Sequence, residues 1–209
     1  MRYLRYRLPR APVLIDTVTT AWHRQRGAAM LEFSLVALPL LLLSVLMMEA
    51  AHWHVVRQLA YVALLDSARA GATQNGRQDV MEQAFARAFL PRFVYAGEPA
   101  PERQRRAWSR IQRLTNMPAW WIEMLQPDDV HRLQTRLVYL HEPLAPLTRA
   151  LLRQIAPSMS GCAYQAMRQG FLVMRLDLRI ERHTLPLDWR AIPSMRYDRV
   201  VYGARDCTD

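Results

Sequence analysis

The longest apolar run of the chain lies near its N-terminus and predicts a membrane-spanning helix. Residues 33–48 contain no charged side chain, and Glu32 is the one charge between residues 28 and 48. At about 1.5 Å per residue, residues 28–51 form a helix of roughly 36 Å, enough to cross a hydrocarbon core of about 30 Å. A carboxylate at the edge of a bilayer is costly unless it is paired, so Glu32 is a candidate functional residue.

The helical pattern continues beyond the apolar run. Residues 50–70 contain neither proline nor glycine, and the sequence predicts one helix over residues 28–71. Its second half carries a set of small side chains, the type that lets helices pack closely. This surface packs either against the helix of another subunit or against the chain's own domain; it comprises Ala60, Ala63, Ser67, Ala68 and Ala70.

The rest of the chain alternates between helical and strand-like periodicity. Helices are predicted over residues 77–90, 102–114 and 144–155, and strands over residues 120–125, 131–141 and 171–184. Even-numbered positions 172–180 are apolar and the odd-numbered positions 175–181 are charged, so one face of that strand is expected to be buried. The fold class predicted is α+β: a long N-terminal transmembrane helix and a small exported domain of helices with a short antiparallel sheet.

For two of the predicted helices, the sequence also indicates which side chains are buried. The helix over 77–90 is expected to bury Val80, Ala84, Phe85 and Ala88. The next helix is expected to bury Trp108, Ile111 and Leu114, and the adjacent tryptophans 120 and 121 are interpreted as core residues.

The charge distribution predicts the orientation in the membrane. All 28 basic side chains are arginine, against 18 acidic ones, for a net charge of +10. Six arginines and Asp16 precede residue 28, so removing residues 1–27 leaves 10 − 5 = +5. The positive-inside rule then places the N-terminus in the cytoplasm and the C-terminal part outside. We interpret the arginine run at 103–106 as a solvated helix face, and we expect no nucleic-acid partner.

Two cysteines, Cys162 and Cys207, fall in the exported part. In an oxidising compartment they form a structural disulfide or remain two unpaired thiols, and the first is favoured. A loop of about 45 residues would stabilise the fold by roughly 4 kcal/mol on a chain-entropy estimate.

Known catalytic and metal-binding patterns are missing from the sequence. His52 and His54 flank Trp53, but residues two apart on a helix point in nearly opposite directions, so we interpret the three as an aromatic belt at the membrane surface. No serine-nucleophile, phosphate-loop or dinucleotide motif appears. We therefore expect no enzyme activity, no cofactor and no metal.

The segment around the membrane helix resembles a known family. Gly27 is followed by AAML and then by Glu32 and Phe33, a G-x-x-x-x-E-F pattern. Pro39 and four leucines follow, then Glu49 at the far end of the apolar run and ARAGA at residues 68–72. Together these features resemble the TadE-like pseudopilins of the tight adherence (Tad, Flp) type IV pilus system, with one extra residue before Pro39.

The resemblance implies three regions: a basic prepilin-type leader (1–27), a transmembrane and extended pilin-like helix (28–76) and a periplasmic α+β domain (77–209). A prepilin peptidase would cut between Gly27 and Ala28, with Glu32 and Phe33 in its recognition site. The helix assembly interface would include Glu32, Pro39 and Glu49. Glu49 would pair with a neighbouring subunit, or it sits harmlessly in water at the outer interface.

The function implied is that of a minor pilin or pseudopilin in the assembly of a Tad-type pilus and secretion apparatus for adherence. Its partners would be the prepilin peptidase, the major Flp-type pilin, other minor pilins and the assembly platform of the bacterial inner membrane. Whether the subunit enters the filament or primes its assembly stays open. The alternative is an exported ligand-binding or enzymatic domain on a plain single-pass anchor.

Overall fold

The computed structural model of the protein describes residues 19–95, 97–125, 132–181, 183 and 200–203; for residues 19–29 and 200–202 it describes the backbone. Nine principal elements follow one another along the described chain. They are α1 (Thr19–Thr73), α2 (Gln78–Ala88), α3 (Ala100–Thr115), β1 (Trp120–Leu125), β2 (Arg132–His141), α4 (Pro146–Ile155), α5 (Gly161–Arg168), β3 (Leu172–Glu181) and β4 (Val200–Tyr202). Short 3₁₀ turns follow α2 and α4, at Leu90–Phe93 and Ala156–Ser158.

The chain divides into two compact units, Met1–Met47 and Met48–Asp209, and α1 contributes to both. Helix α1 begins at Thr19, before the start predicted at residue 28, so its backbone is helical through Gly27. The prolines at positions 9 and 12 precede this region, and nothing between residues 19 and 27 breaks a helix.

A four-stranded antiparallel sheet forms the centre of the second unit, in the order β3-β2-β1-β4. Strand β2 pairs with β1 on one side, where Tyr139 lies opposite Trp120, and with β3 on the other, where Leu137 lies opposite Leu176. In β3 the predicted alternation is confirmed: Met174, Leu176 and Leu178 are buried while the odd-numbered charged residues are exposed. The α+β class is confirmed with it.

The C-terminal half of α1 packs on this sheet and on α2. Its buried positions recur every three or four residues, the spacing of one helix face; they are Val56, Ala60, Ala63, Leu64, Ser67, Ala68 and Ala72. Four of the five small residues noted in the sequence belong to this face, so the stripe packs in its own domain. The hydroxyl of Ser67 donates to the carbonyl oxygen of Met81 at 2.8 Å, which shows how closely α2 approaches.

Two predicted inner faces are partly wrong. Helix α2 and the turn after it bury Met81, Phe85 and Phe89, four residues apart, rather than a face that includes Val80. In α3, Leu114 is exposed and Thr115 is buried, because Thr115 lies on the same helix face as the buried Ile111, to whose carbonyl oxygen its hydroxyl donates at 2.8 Å.

The aromatic residues confirm the predicted core position of the tryptophan pair. Trp121 is buried, and Trp120 packs on Phe85 with 4.4 Å between the ring centroids. In the arginine-rich part of α3, Arg105 and Arg106 are exposed, as a solvated face requires. Gln104, directly before them, turns inward and donates to the carbonyl oxygen of Ala86, which joins α3 to α2.

Candidate functional site

The predicted processing segment lies in the first half of α1. Gly27 and Ala28 are part of its helical backbone. Four and five residues after Ala28, the side chains of Glu32 and Phe33 are both exposed, Phe33 to 74%. The carboxylate of Glu32 is thus on the surface of the helix, where a second molecule can reach it.

The apolar run that follows presents its side chains outward. From Met30 to Met48 every side chain is exposed except that of Ala37, which is half-buried. Pro39 lies inside the helix, and the hydroxyls of Ser34 and Ser44 donate to the carbonyls four residues before them, each at 2.8 Å. Both hydroxyls therefore have a partner within the helix, as a segment surrounded by hydrocarbon requires.

One helix in the described part of the chain is long and apolar enough to cross a membrane. Its most apolar window has a mean hydropathy of 2.2, and none of that window is buried within the protein. A helix of this kind in a soluble core would be covered by other elements. Its exposure agrees with the predicted membrane anchor.

The character of α1 changes abruptly at Glu49. This residue is 9% exposed, whereas Met48 before it is 68% exposed. The two carboxylate oxygens of Glu49 accept hydrogen bonds from the backbone N–H groups of Leu144 and Ala145, at 3.1 and 2.9 Å. Glu49 therefore binds a segment 95 residues further along the chain.

These two N–H groups lie directly before α4, which begins at Pro146. The helix has Ala145 at its N-cap, Pro146 in its first turn, no acidic residue there and no side-chain cap of its own. The first N–H groups of a helix lack internal partners and carry partial positive charge, so a carboxylate placed there is stabilising. Glu49 accepts from the N–H of the N-cap residue, Ala145, and from that of Leu144 before it, and so places a carboxylate at the N-terminus of α4.

Neither partner predicted for Glu49, a neighbouring subunit or water, is the one in the structure. The carboxylate instead binds its own chain. A signal was present, since no Ser, Thr, Asp or Asn lies at the start of the helix predicted over residues 144–155, so its first N–H groups need an acceptor from elsewhere. Which acceptor fills that role could not be read from the local sequence.

A cluster of basic and aromatic groups lies beside the carboxylate. His141, at the end of β2, is 2% exposed, and its Nε2 is 3.9 Å from Oε1 of Glu49. Its ring lies 5.3 Å from that of His52 on α1, and Nη2 of Arg92 approaches Nε2 of His52 at 3.4 Å. Among the residues that the structure describes, Nε2 of His141 and Nε of Arg92 have no hydrogen-bond partner.

The membrane-belt interpretation of the His-Trp-His sequence is wrong for two of its members. His52 packs on His141, and Trp53 lies against the main hydrophobic core. His54 does point away, as expected, and its Nε2 pairs with Nε2 of Gln58 at 2.9 Å. Within the described residues no group of three or more His, Cys, Asp or Glu side chains could hold a metal ion.

Burial of His141 predicts a pH-dependent stability. Loss of hydration, and then the nearby His52 and Arg92, lower the pKa of His141 from 6.5 to about 4. The unfolded chain therefore binds this proton more readily than the folded one, so its contribution to stability is complete above about pH 6.5 and is lost as the pH falls toward 4. We expect a loss of up to about 3 kcal/mol in the free energy of unfolding across that range.

Denaturant titrations of the full chain in detergent micelles, over that pH range, measure this loss. His141→Gln should flatten the pH dependence, whereas the matched variant His54→Gln, which changes an exposed histidine of α1, should leave it unchanged. Equal pH dependence in the wild type and in His141→Gln would contradict the assignment.

The structure describes one of the two cysteines of the predicted disulfide. Cys162, in α5, is disulfide-bonded. Cys207 lies outside the described residues, so its pairing with Cys162 stays a prediction.

Comparisons with known proteins found no matching family model, no matching protein of curated function and no matching solved structure.

Proposed function

We propose that this protein is a minor pilin or pseudopilin that takes part in assembly of a Tad-type pilus and secretion apparatus. The observation that carries the proposal is the G-x-x-x-x-E-F pattern ending at Phe33, directly before an apolar helix whose side chains are exposed. Leader, exposed helix and folded domain follow one another in the order that such a subunit needs.

The proposed mechanism has two steps. A prepilin peptidase first removes residues 1–27, which leaves a positively charged amine on Ala28. The exposed helix then packs beside helices of the major Flp-type pilin and of other minor pilins, on the assembly platform of the inner membrane. The N-terminus is cytoplasmic and the second unit periplasmic in this proposal, because the arginines before residue 28 retain that end inside.

Cleavage after Gly27 tests the proposal. In cells with an active prepilin peptidase, N-terminal sequencing of the mature protein should begin at Ala28. Gly27→Val should block cleavage, because a side chain at the last leader position prevents close approach of the backbone to the peptidase. Ala29→Val adds the same side chain two residues later and should be processed. A mature protein that starts at Met1 would contradict the proposal.

A second candidate function has one observation in its favour. A cleft of about 460 Å³ lies between α1 and β3, lined by His54, Arg57, Gln58, Tyr61, Val62 and Leu176. An exported domain on a plain anchor could bind a small ligand there. In that case the mature protein would keep its leader, so the cleavage experiment separates the two functions.

A further inference from the structure

Helix α4 exposes an apolar stripe that its own domain does not cover. Leu147, Leu151 and Ile155 recur every four residues and are 52%, 50% and 42% exposed. Leu144 just before the helix is 51% exposed, and α4 buries none of its residues. A stripe of this kind on a surface helix indicates contact with an apolar partner.

The position of α4 along the chain suggests which partner that is. The N–H groups of Leu144 and Ala145, directly before α4, bind Glu49, and Glu49 is the residue directly after Met48, where the exposed apolar run ends. Along α1, one residue corresponds to about 1.5 Å. The start of α4 is thus held beside the point at which α1 leaves hydrocarbon.

A second loop repeats this arrangement. Val94 and Tyr95 are 67% and 60% exposed, and Nη1 of Arg92 donates to the hydroxyl of Tyr95 at 2.8 Å. Nη2 of the same arginine approaches His52, four residues or about 6 Å beyond Met48. This distance falls within the headgroup layer, which is about 5–7 Å thick on each side. Both loops that are tied to this turn of α1 therefore carry exposed apolar side chains.

The charge of α4 also suits a phospholipid surface. The helix contains no acidic residue and carries the exposed Arg153; its other arginine, Arg149, binds Glu142 and the carbonyl oxygen of Pro143. Interfacial helices typically combine a leucine-rich face with arginines that reach anionic headgroups. Tyrosine, the residue exposed on the second loop, is enriched at the same depth of a bilayer.

We propose that α4 lies on the periplasmic surface of the membrane that α1 crosses, with Leu147, Leu151 and Ile155 inserted among the lipid chains and Val94 and Tyr95 beside them. This rests on the membrane anchoring of α1 in the proposed function and adds a second attachment. The domain is then held against the bilayer before assembly, and a subunit that leaves the membrane must release α4 as well as its span.

Accessibility of spin labels tests this placement. The full chain is reconstituted in vesicles of phosphatidylethanolamine and phosphatidylglycerol, with a nitroxide coupled to a keto amino acid that replaces Leu151, which avoids the native cysteines. Oxygen concentrates in hydrocarbon and a nickel chelate stays in water. We expect the oxygen-to-nickel accessibility ratio at position 151 to exceed that at Arg153, labelled in the same way on the opposite side of α4, several-fold. A label at Ile155 repeats the measurement if the first variant folds poorly.

The outcomes separate this inference from the proposed function. A label at Leu41, inside the apolar run, reports whether the chain is anchored. If position 41 is in hydrocarbon and position 151 is open to nickel, the placement of α4 is overturned while the anchor stands. Shielding of position 151 from both reagents would mean that a second copy or another protein covers the stripe, and would also overturn it. If position 41 is itself in water, the anchor fails. Cleavage after Gly27 affects none of these readings.

Discussion

Glu32→Gln is expected to leave cleavage after Gly27 intact and to abolish co-assembly with the major pilin. Cleavage creates an amine on Ala28, four residues or a little over one helical turn before Glu32. Both charges lie at the edge of hydrocarbon, where an unpaired charge costs on the order of 2.5 kcal/mol. Glutamine nearly preserves the shape of the side chain and removes the charge that pairs with the amine.

Because Glu32 is exposed, its carboxylate is accessible to a group of a second molecule. The amine of Ala28 in an adjacent subunit could bind this carboxylate and so determine the axial stagger between neighbouring helices. Pull-down of the tagged major pilin, together with N-terminal sequencing, measures assembly and cleavage separately. Glu102→Gln, which removes an exposed carboxylate from the first turn of α3, is the matched control for net charge.

Two outcomes would contradict this prediction. If Glu32→Gln assembles as well as the wild type, the carboxylate does not determine the stagger. If cleavage itself fails, Glu32 is a recognition residue for the peptidase. The loss of assembly then follows from the lost cleavage and gives no support to pairing with the amine. Retained cleavage with lost assembly is the combination that supports pairing.

Glu49→Ala is expected to lower the free energy of unfolding of the second unit by about 2–4 kcal/mol. The variant removes the acceptor of two backbone N–H groups, and hydrogen bonds to a charged group contribute about 1.5–3 kcal/mol each before the exposed fraction of the site is discounted. It also removes a carboxylate from the N-terminus of α4, which has no acidic residue in its first turn. Glu49→Gln keeps an acceptor oxygen and should lose less.

Hydrogen exchange gives this prediction a local readout. The amides of Leu144 and Ala145 should lose protection in Glu49→Ala, whereas that of Leu140, which donates to the carbonyl oxygen of Ala119 at 2.8 Å, should keep it. Denaturant unfolding in detergent micelles measures the free energy. A loss below about 0.5 kcal/mol, the range of ordinary surface substitutions, would show that water replaces the carboxylate at little cost.

The two carboxylates of the apolar helix therefore have different expected roles. The resemblance to pseudopilins implied that Glu32 and Glu49 both belong to an assembly interface. In the structure Glu32 is exposed, while Glu49 is occupied by α4. We expect variants of Glu32 to affect assembly with the domain intact, and variants of Glu49 to affect the domain first.

Local patterns determined much of the architecture. A run of sixteen uncharged residues predicted a helix long and apolar enough to cross a membrane, and the two-residue alternation of β3 predicted its buried face. The absence of Pro and Gly over residues 50–70 likewise predicted that α1 continues into the domain. In each case one element contains the whole signal.

The tertiary structure decided what depends on distant residues. The partners of Glu49 lie 95 and 96 positions away. Helix α2 buries Met81 because Ser67 and Gly71, two small residues of α1, leave room for its side chain. The small residues of α1 were compatible with a neighbouring subunit or with the chain's own domain, and α2 and the sheet of that domain cover them. The spacing of apolar residues in an element predicts which of its faces is buried. Which other element covers that face depends on contacts with distant residues, and these cannot be predicted from one element alone.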